Sequence, residues 1–290
     1  MHGLGDARIA LLTALPADLP DQVSRALRED IGSGDVTAQL IPSQRQFRAH
    51  VLCRQFAILC GAPWFNETFR QIDPAVQIQW CLSEGARVAA NTVLCELAGP
   101  ARSILTGERT ALNFLQLLSA TASLTHRYVD AVTGTPCRIL DTRKTIPGLR
   151  SAQKYAVRCG GGQNHRIGLY DLVLIKENHI AAAGSITAAI SAGRATAPNL
   201  RIEVETENLE QLREALDAHA DIVMLDNFEL DTLRAAVTIN RAHVNRALLE
   251  SSGGVTLETA REIAQTGVDC ISVGALTKNI DAIDLSMRFD

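Results

Sequence analysis

The second half of the chain carries a repeated pattern that constrains the fold more than any other feature of the sequence. Short apolar runs rich in β-branched residues each end in a polar or glycine cluster, at residues 138–141, 172–176, 202–205, 222–226, 247–250 and 270–274. The later ends fall about 20 to 30 residues apart, the length of one strand, one helix and two short loops. Continuous apolar strands that alternate with amphipathic helices predict a parallel sheet covered by helices.

The segments between these strands have sequence features that are typical of helices. Leucines recur at helical spacing after Asn208, which we predict to be an N-cap. Thr256 is a second predicted cap, for a helix that Gly267 ends. Six or seven strand–helix units favour an α/β barrel over an open sheet, and chemistry in such barrels lies at the carboxyl ends of the strands.

The first 130 residues follow a different pattern. Residues 47–60 and 76–82 are predicted strands, and a long helical pattern with few breakers runs from about residue 101 to 133. This half is therefore predicted to be a mixed α+β domain. The boundary is expected between residues 115 and 135.

Charge is distributed unevenly along the chain. The formal net charge is -4, yet residues 138–176 hold eight Lys or Arg against two Asp. A local excess of cations on an acidic chain indicates a pocket for a small, multiply negative ligand. A nucleic-acid face would usually make the whole domain basic, so no nucleic-acid partner is expected. The alternative is a solvated charged face, but a glycine triplet, histidines and an apolar strand interrupt these cations.

Composition narrows the class of protein further. The 290 residues contain no apolar run of about 18, so we expect no membrane span, and residues 1–20 lack the pattern of a signal peptide. Seven cysteines are scattered, odd in number and never arranged as CxxC. Free thiols in a cytoplasmic protein fit this usage better than disulfides or zinc. Cys159 is a weak candidate nucleophile, because no base is fixed next to it.

The predicted strand ends bring several candidate site residues to one rim. Arg143, Lys144, Arg166 and Lys176 together could hold two carboxylates and several phosphate oxygens. Arginine recognises planar carboxylates with two hydrogen bonds, whereas lysine acts as a mobile point charge. His165 could donate to an oxyanion or simply pack in its loop.

Acidic and glycine residues complete this rim. Glu205 and Asp226 end neighbouring strands, where a pair of carboxylates suits Mg²⁺, although an ion pair with the nearby cations is the alternative. Ser252–Gly254 and Gly274 follow the last two strands. Glycines there allow backbone N–H groups to close on a phosphate, the usual phosphate position in such barrels.

Ordered motifs along nearly the full length resemble the quinolinate phosphoribosyltransferase family. They lie at residues 29–32, 34–37, 108–113, 141–150, 154–157, 160–168, 174–179, 203–205, 224–227, 250–254 and 271–277. The resemblance implies an N-terminal α+β sandwich domain over residues 1–125 and an incomplete, seven-stranded α/β barrel over residues 126–278. A C-terminal helix, residues 279–290, would pack back on the first domain.

The same resemblance implies an activity and a set of site residues. Quinolinate and phosphoribosyl pyrophosphate would give nicotinate mononucleotide, pyrophosphate and CO₂, in de novo NAD synthesis. A homodimer is implied, in which Arg109 reaches the partner's site. The pyridine dicarboxylate would contact Arg143, His165, Arg166 and Lys176. The phosphoribosyl pyrophosphate side would comprise Thr142, Lys144, Glu205, Asp226, Ser252, Gly253, Gly254, Val273, Gly274 and Ala275, with Mg²⁺ at the two acids and with Lys144, Glu205 and Asp226 as catalytic residues.

Two departures from the family pattern are visible. Lys278 stands where many members carry a histidine, so a phosphate contact there would be retained only as a cation. Ala120 and Ser123 replace a frequent glycine and threonine, which affects packing more than chemistry.

Three other functions compete with this interpretation. A barrel lyase or aldolase would form a Schiff base on Lys176. A paralogue of the same fold, such as the molybdenum-associated relatives, would act on another aromatic acid. A non-catalytic protein would bind the phosphometabolite without releasing pyrophosphate.

Overall fold

The structure is a computed structural model that describes residues 15–290. Residues 1–14, part of the stretch in which the sequence predicts no signal peptide, lie outside the described residues. Contacts divide the chain into two compact units. Unit 1 runs to residue 126 and also contains residues 145–161 and 276–290, whereas unit 2 contains residues 127–144 and 162–275.

An antiparallel sheet of four strands forms the centre of unit 1. Its order is β12-β1-β5-β3, with bounds β1 Gln46–Cys53, β3 Gln77–Trp80, β5 Thr92–Pro100 and β12 Leu285–Phe289. A second pair joins β2 Ala57–Ile58 to β4 Arg87–Val88. These elements give unit 1 the predicted mixture of strands and helices.

Four helices accompany these sheets: α1 Leu19–Ile31, α2 Ala62–Ile72, α3 Ala101–Ala131 and α4 Arg150–Cys159. The long predicted helix is confirmed as α3, which begins in unit 1 and ends in unit 2. Helix α2 starts after Gly61, which has a φ of 112° that glycine adopts readily, and a proline lies in the first turn of the helix. Phe65 and Phe69 of α2 pack with Leu112 and Leu115 of α3 in one buried cluster.

The C-terminal segment differs from the expectation that the family resemblance gave. Residues 279–290 were predicted to be helical, but they contain strand β12, which pairs antiparallel with β1 from Ala49↔Phe289 to Cys53↔Leu285. Leu285, Met287 and Phe289 alternate with polar residues, a period of two that is typical of a strand. The predicted helix is therefore wrong.

Six parallel strands form the sheet of unit 2. They run in the order β6-β11-β10-β9-β8-β7, with bounds β6 Arg138–Leu140, β7 Val173–Ile175, β8 Ile202–Thr206, β9 Ile222–Asp226, β10 Leu248–Ser252 and β11 Cys270–Ser272. All six strands read from the sequence are confirmed. Gln163 makes a single parallel bridge to Leu140. The α/β fold is thus confirmed, with six strands and one bridge where seven strands were expected.

Helices follow these strands, with bounds α5 Glu177–Ala183, α6 Ile186–Thr196, α7 Leu209–Asp217, α8 Leu230–Ala242, α9 Leu257–Gln265 and α10 Ala275–Lys278. Both predicted caps are confirmed. The side chain of Asn208 accepts from the N–H groups of Glu210 and Gln211, and that of Thr256 accepts from the N–H of Thr259. Within residues 15–290, every helix is too short or too polar to cross a bilayer.

Candidate active site

The alternation of side chains along the strands of unit 2 builds the site. Residues two apart point to the same face of a strand, so Glu250 and Ser252 in β10 share a face. Ser252 lies beside Asp226 of β9 in register, and Glu250 lies beside Met224. These four side chains line a cavity of about 520 Å³ formed entirely by residues of unit 2.

Eleven of the residues predicted from the sequence line this cavity. They are Thr142, Arg143, Lys144, His165, Arg166, Lys176, Glu205, Asp226, Ser252, Gly253 and Gly254. The lining also includes five residues that were not predicted to be site residues, namely Leu174, Met224, Asn227, Glu250 and Ser272. The structure therefore brings together most of the predicted anion-binding and acidic groups.

The remaining predicted site residues lie elsewhere. Val273, Gly274 and Ala275 follow β11 in unit 2, and a Cβ on Gly274 would lie 3.1 Å from Cδ of Lys144. The absence of a side chain at Gly274 therefore leaves room for the lysine. Arg109 on α3 and Lys278 on α10 both belong to unit 1, and both are exposed.

Two arginines bring neighbouring positive charges to the cavity. Nε of Arg143 is buried and has no hydrogen-bond partner among residues 15–290. Burial, and then the charge of Arg143, lower the pKa of the Arg166 guanidinium. A buried donor without an acceptor is unfavourable, and two neighbouring guanidinium groups repel each other. Both costs would be relieved by an anion bound between them.

The two acids at the strand ends have different partners. Nζ of Lys176 donates a hydrogen bond to Oε2 of Glu205, so the ion-pair alternative describes Glu205 in this structure. Asp226 accepts instead from the side-chain amide of Asn227, at 2.9 Å. Burial, and then the charge of Glu205, raise the pKa of Asp226. An added cation would stabilise both carboxylates.

The donor set fits Mg²⁺. This ion usually takes one or two carboxylates from the protein and fills its other positions with water and substrate phosphates. Glu205 and Asp226 lie in the same cavity as Lys144 and the glycine turn. These two carboxylates would supply the protein ligands that such an ion takes.

The turn after β10 depends on Asn227 as well as on its glycines. Gly253 and Gly254 have φ of 93° and 60°, a left-handed conformation that glycine adopts at no cost. A Cβ on Gly253 would collide with Oδ1 of Asn227, and the N–H of Asn227 donates to the Ser252 carbonyl at 2.9 Å. Asn227 itself has a φ of 55°, which asparagine tolerates better than most residues. The Asp–Asn pair at the end of β9 is the sequence feature that could have indicated a role for Asn227.

A second pair of acidic residues lies two residues before the strand-end positions described above. Glu203 precedes Glu205 in β8, and Glu250 precedes Ser252 in β10. Nε2 of His165 is 2.9 Å from Oε2 of Glu203 and 3.5 Å from Oε2 of Glu250. Burial, and then the charge of Glu203, raise the pKa of Glu250 to about 8, although His165 opposes this. Neither glutamate was predicted as a site residue. Their signal was a charged residue within an otherwise apolar strand.

Lys176 is poorly suited to the competing Schiff-base chemistry. A nucleophilic lysine must lose its proton, and apolar surroundings or a second cation favour that loss. Nζ of Lys176 instead makes a hydrogen bond and an ion pair with the Glu205 carboxylate. The geometry therefore favours a binding role for this lysine.

A parallel α/β unit with cations, two acids and a glycine turn at its strand ends is typical of barrel-type enzymes that bind phosphorylated, multiply anionic substrates. Comparison with known families refines this class. The N-terminal domain of quinolinate phosphoribosyl transferase matches residues 35–119, and its C-terminal domain matches residues 121–288. The chain belongs to the quinolinate phosphoribosyltransferase family.

Individual relatives agree over nearly their full length. The chain is 42% identical over 273 residues to nicotinate-nucleotide pyrophosphorylase (carboxylating) of Mycobacterium leprae, covering 92% of this chain and 95% of that one. It is 39% identical over 294 residues to quinolinate phosphoribosyltransferase (decarboxylating) 1 of Nicotiana glauca, covering 94% and 83%. The solved nicotinate-nucleotide pyrophosphorylase of Francisella tularensis has a TM-score of 0.92 and 48% identity, covering 96% and 99%.

Proposed function

We propose that the cavity of unit 2 is where this chain carries out its family's reaction. The chain transfers phosphoribosyl from phosphoribosyl pyrophosphate to quinolinate with loss of CO₂, giving nicotinate mononucleotide for de novo NAD synthesis. The observation that carries the assignment to this cavity is the close grouping of Arg143, Arg166 and Lys176 with two acids and a glycine turn.

The cationic side of the cavity suits the pyridine dicarboxylate. Arg143 has a buried Nε without an acceptor, and burial and Arg143 destabilise the charge of Arg166. Each quinolinate carboxylate would supply acceptors and a negative charge to these groups. Lys176 would contribute a third cation, shared with Glu205, and the His165 ring would border the same subsite.

The opposite group of residues suits the phosphoribosyl pyrophosphate. Lys144, Thr142 and Ser252 would contact phosphate oxygens, together with backbone N–H groups of Gly253, Gly254 and residues 273–275. Glu205 and Asp226 would hold Mg²⁺, which when bound would neutralise charge on the diphosphate. The raised pKa of Asp226 and the open glycine turn support this division.

The chemistry then requires positioning more than proton transfer. Departure of pyrophosphate leaves an oxocarbenium-like ribose, so these residues must hold the pyridine nitrogen behind C1 and stabilise the leaving charge. Lys144 would stabilise the leaving diphosphate, while Arg143 and Arg166 fix the ring through its carboxylates. After nitrogen is alkylated, the pyridinium accepts the electron pair that the departing CO₂ leaves at C2. That carbon finally takes up one proton.

Three finer features belong to the same proposal. A homodimer in which Arg109 reaches the partner's site would give the exposed Arg109 a ligand. Lys278 would serve as a phosphate contact in place of the histidine of many relatives. A cytoplasmic location is supported by seven cysteines that are all free thiols, which suits a reducing compartment.

The decisive experiment follows mononucleotide and CO₂ together, with phosphoribosyl pyrophosphate, Mg²⁺ and either quinolinate or nicotinate. Stoichiometric product and CO₂ from quinolinate alone would support the proposal. Turnover of nicotinate without CO₂ would contradict it. Absence of turnover with both acids would favour a paralogue for another aromatic acid or a binding protein.

Two variants test the proposed quinolinate side and the proposed phosphoribosyl pyrophosphate side of the cavity separately. Arg143→Ala should raise KM for quinolinate by roughly 100-fold, because it removes a two-pronged carboxylate contact. Asp226→Asn should instead change the dependence on Mg²⁺ and on phosphoribosyl pyrophosphate. An unchanged quinolinate KM in Arg143→Ala would contradict the assignment of the cationic side.

Complementation tests the dimer and the role of Arg109. At a quinolinate concentration near the wild-type KM, Arg109→Ala and Arg143→Ala homodimers should each have little activity, because each lacks one residue of every site. In a mixture with subunit exchange, half of the dimers are mixed and hold one intact site, so activity should recover to about a quarter of wild type. Failure to recover after proven exchange would place Arg109 outside the partner's site.

A further inference from the structure

Two glutamates of unit 2 are buried close together, and this pair has no role in the reaction described above. Glu203 of β8 is 0% exposed and Glu250 of β10 is 1% exposed. An oxygen of each lies within 4.8 Å of the other and of a His165 ring nitrogen. Two ionised carboxylates repel strongly inside a protein, where the charges are poorly screened. One of the two therefore holds a proton at neutral pH.

Geometry indicates that Glu250 holds this proton. Glu203 is the closer partner of His165 Nε2, at 2.9 Å against 3.5 Å for Glu250. Burial, and then the charge of Glu203, raise the pKa of Glu250 to about 8. The other groups that face Glu250 are the Asp141 carboxyl, the Ser272 hydroxyl and the Cys270 thiol. Asp141 adds negative charge and so favours the neutral form of Glu250.

Hydrogen bonds of His165 define the form of its ring. The backbone N–H of Arg166 donates to Nδ1 at 2.7 Å, so Nδ1 carries no proton. The ring proton therefore lies on Nε2, which is 2.9 Å from Oε2 of Glu203, although this contact does not have the alignment of a hydrogen bond. The backbone N–H of His165 donates to Asp141 at 2.9 Å, which anchors the same residue from the other side. A neutral imidazole thus links the acidic pair to the backbone of Arg166.

Free acceptor atoms remain in the pair. Both carboxylate oxygens of Glu203 and Oε1 of Glu250 have no hydrogen-bond partner among residues 15–290. A proton on Glu250 would turn one of these oxygens into a donor and would satisfy an acceptor on Glu203. One proton would thus give a partner to two of these three oxygens without a further side chain.

We propose that Glu250 is a positioning residue for the dicarboxylate substrate, acting in its neutral form as a hydrogen-bond donor to Glu203. The pair then carries a single negative charge and holds the His165 ring, and through it the Arg166 backbone, in the geometry that receives quinolinate. Ionisation of Glu250 would add a second negative charge beside a pocket that must accept a dianion. This inference rests on the proposed function of the same cavity.

The test compares Glu250→Gln with Glu250→Leu across the neutral and alkaline range. Glutamine keeps a neutral donor and acceptor of the same shape, whereas leucine keeps only the bulk. Wild-type kcat/KM for quinolinate should fall by about tenfold per pH unit above about pH 8. Glu250→Gln should retain activity at neutral pH and lack this fall. Glu250→Leu should lose roughly tenfold or more at every pH, mainly through KM for quinolinate.

A matched control and a second readout separate positioning from stability. Glu84→Gln removes a carboxyl of raised pKa from unit 1, and it should leave the alkaline fall in place. Calorimetric titration with quinolinate alone should show the same pH dependence of affinity as the kinetics. An alkaline fall that persists in Glu250→Gln, or equal losses in the glutamine and leucine variants, would overturn the proposal.

Two further outcomes remain distinct. Wild-type protein that turns over no quinolinate would refute the proposed function itself, whereas turnover with an unaltered profile in Glu250→Gln would refute only this inference. His165, Glu203 and Glu250 also have the spacing of a metal site. Stoichiometric zinc, manganese or iron in the purified wild type that is lost in Glu250→Gln would overturn the proton assignment, and a metal-free protein with full Mg²⁺-dependent activity would support it.

Discussion

Each unit places at least one carboxyl group beside potential ligand or nucleophile side chains, but the carboxyl oxygens of the two clusters have different hydrogen-bond partners. In unit 1, the Glu84 oxygens accept from the N–H groups of Gly61 and Ala62, at 2.8 and 3.1 Å, where helix α2 begins. Cys60 and Tyr155 add further hydrogen bonds to it. In unit 2, both oxygens of Glu203 and Oε1 of Glu250 receive none from the described residues.

This difference separates a structural carboxyl from a functional one. Glu84 completes the start of a helix, whose first N–H groups have no acceptor within the helix. Cys60, Glu84 and Cys159 have metal-like spacing, but the helix already uses both oxygens of Glu84. Burial raises the pKa of Cys60, which makes its thiol inert. Cys159 is buried in unit 1 and is not part of the cavity lining, so its candidacy as the nucleophile gains no support.

The largest effect is expected from Glu84→Ala. Two backbone N–H groups lose their acceptor, so the free energy of unfolding should fall by about 2–4 kcal/mol, while kcat/KM of the folded protein stays unchanged. Urea denaturation measures the loss. Glu96→Ala, an exposed glutamate of the same unit, is the control and should change stability by less than about 0.5 kcal/mol. A loss of activity without a loss of stability would remove the distinction between the clusters.

A smaller effect, visible in kinetics rather than unfolding, is expected at the rim of unit 2. Gly253→Ala would collide with Asn227 and displace the groups around Asp226, so kcat/KM for phosphoribosyl pyrophosphate should fall roughly 10- to 100-fold. Gly254→Ala is the matched control, because its φ is also positive but its Cβ would meet open space. Both variants carry backbone strain. Equal losses in the two would show that strain, and not the contact with Asn227, governs this turn.

The smallest effect concerns the dependence of stability on pH. The folded-state pKa of Glu250 is raised from 4.5 to about 8, so its contribution to stability is complete below about pH 4.5 and is lost as the pH rises to about 8. Relative to Glu250→Gln, the wild-type unfolding free energy should decline across this window with a limiting slope of about 1.4 kcal/mol per pH unit. Parallel curves for the two proteins would mean that Glu250 is ionised in the folded state.

Local signals in the sequence predicted much of the fold. Apolar runs that end in polar residues predicted all six strands of unit 2. Asn208 and Thr256 predicted two helix starts, because an N-cap depends only on the three residues that follow it. The final strand was missed. Residues 285–289 alternate as a strand does, but alternation alone does not identify a partner, and only the pairing with β1 shows what stabilises this strand.

The sequence by itself determined which polar groups stand at the carboxyl ends of the strands, and hence an anion-binding rim with Arg143, Lys176 and Asp226. Only the tertiary structure decided how far polar groups extend inward and which of them meet. Glu203 and Glu250 belong to strands that are not adjacent, separated by β9 in the sheet. Whether two such carboxyls share a proton depends on the distance across the interior and on burial, and strand periodicity along one chain segment encodes neither.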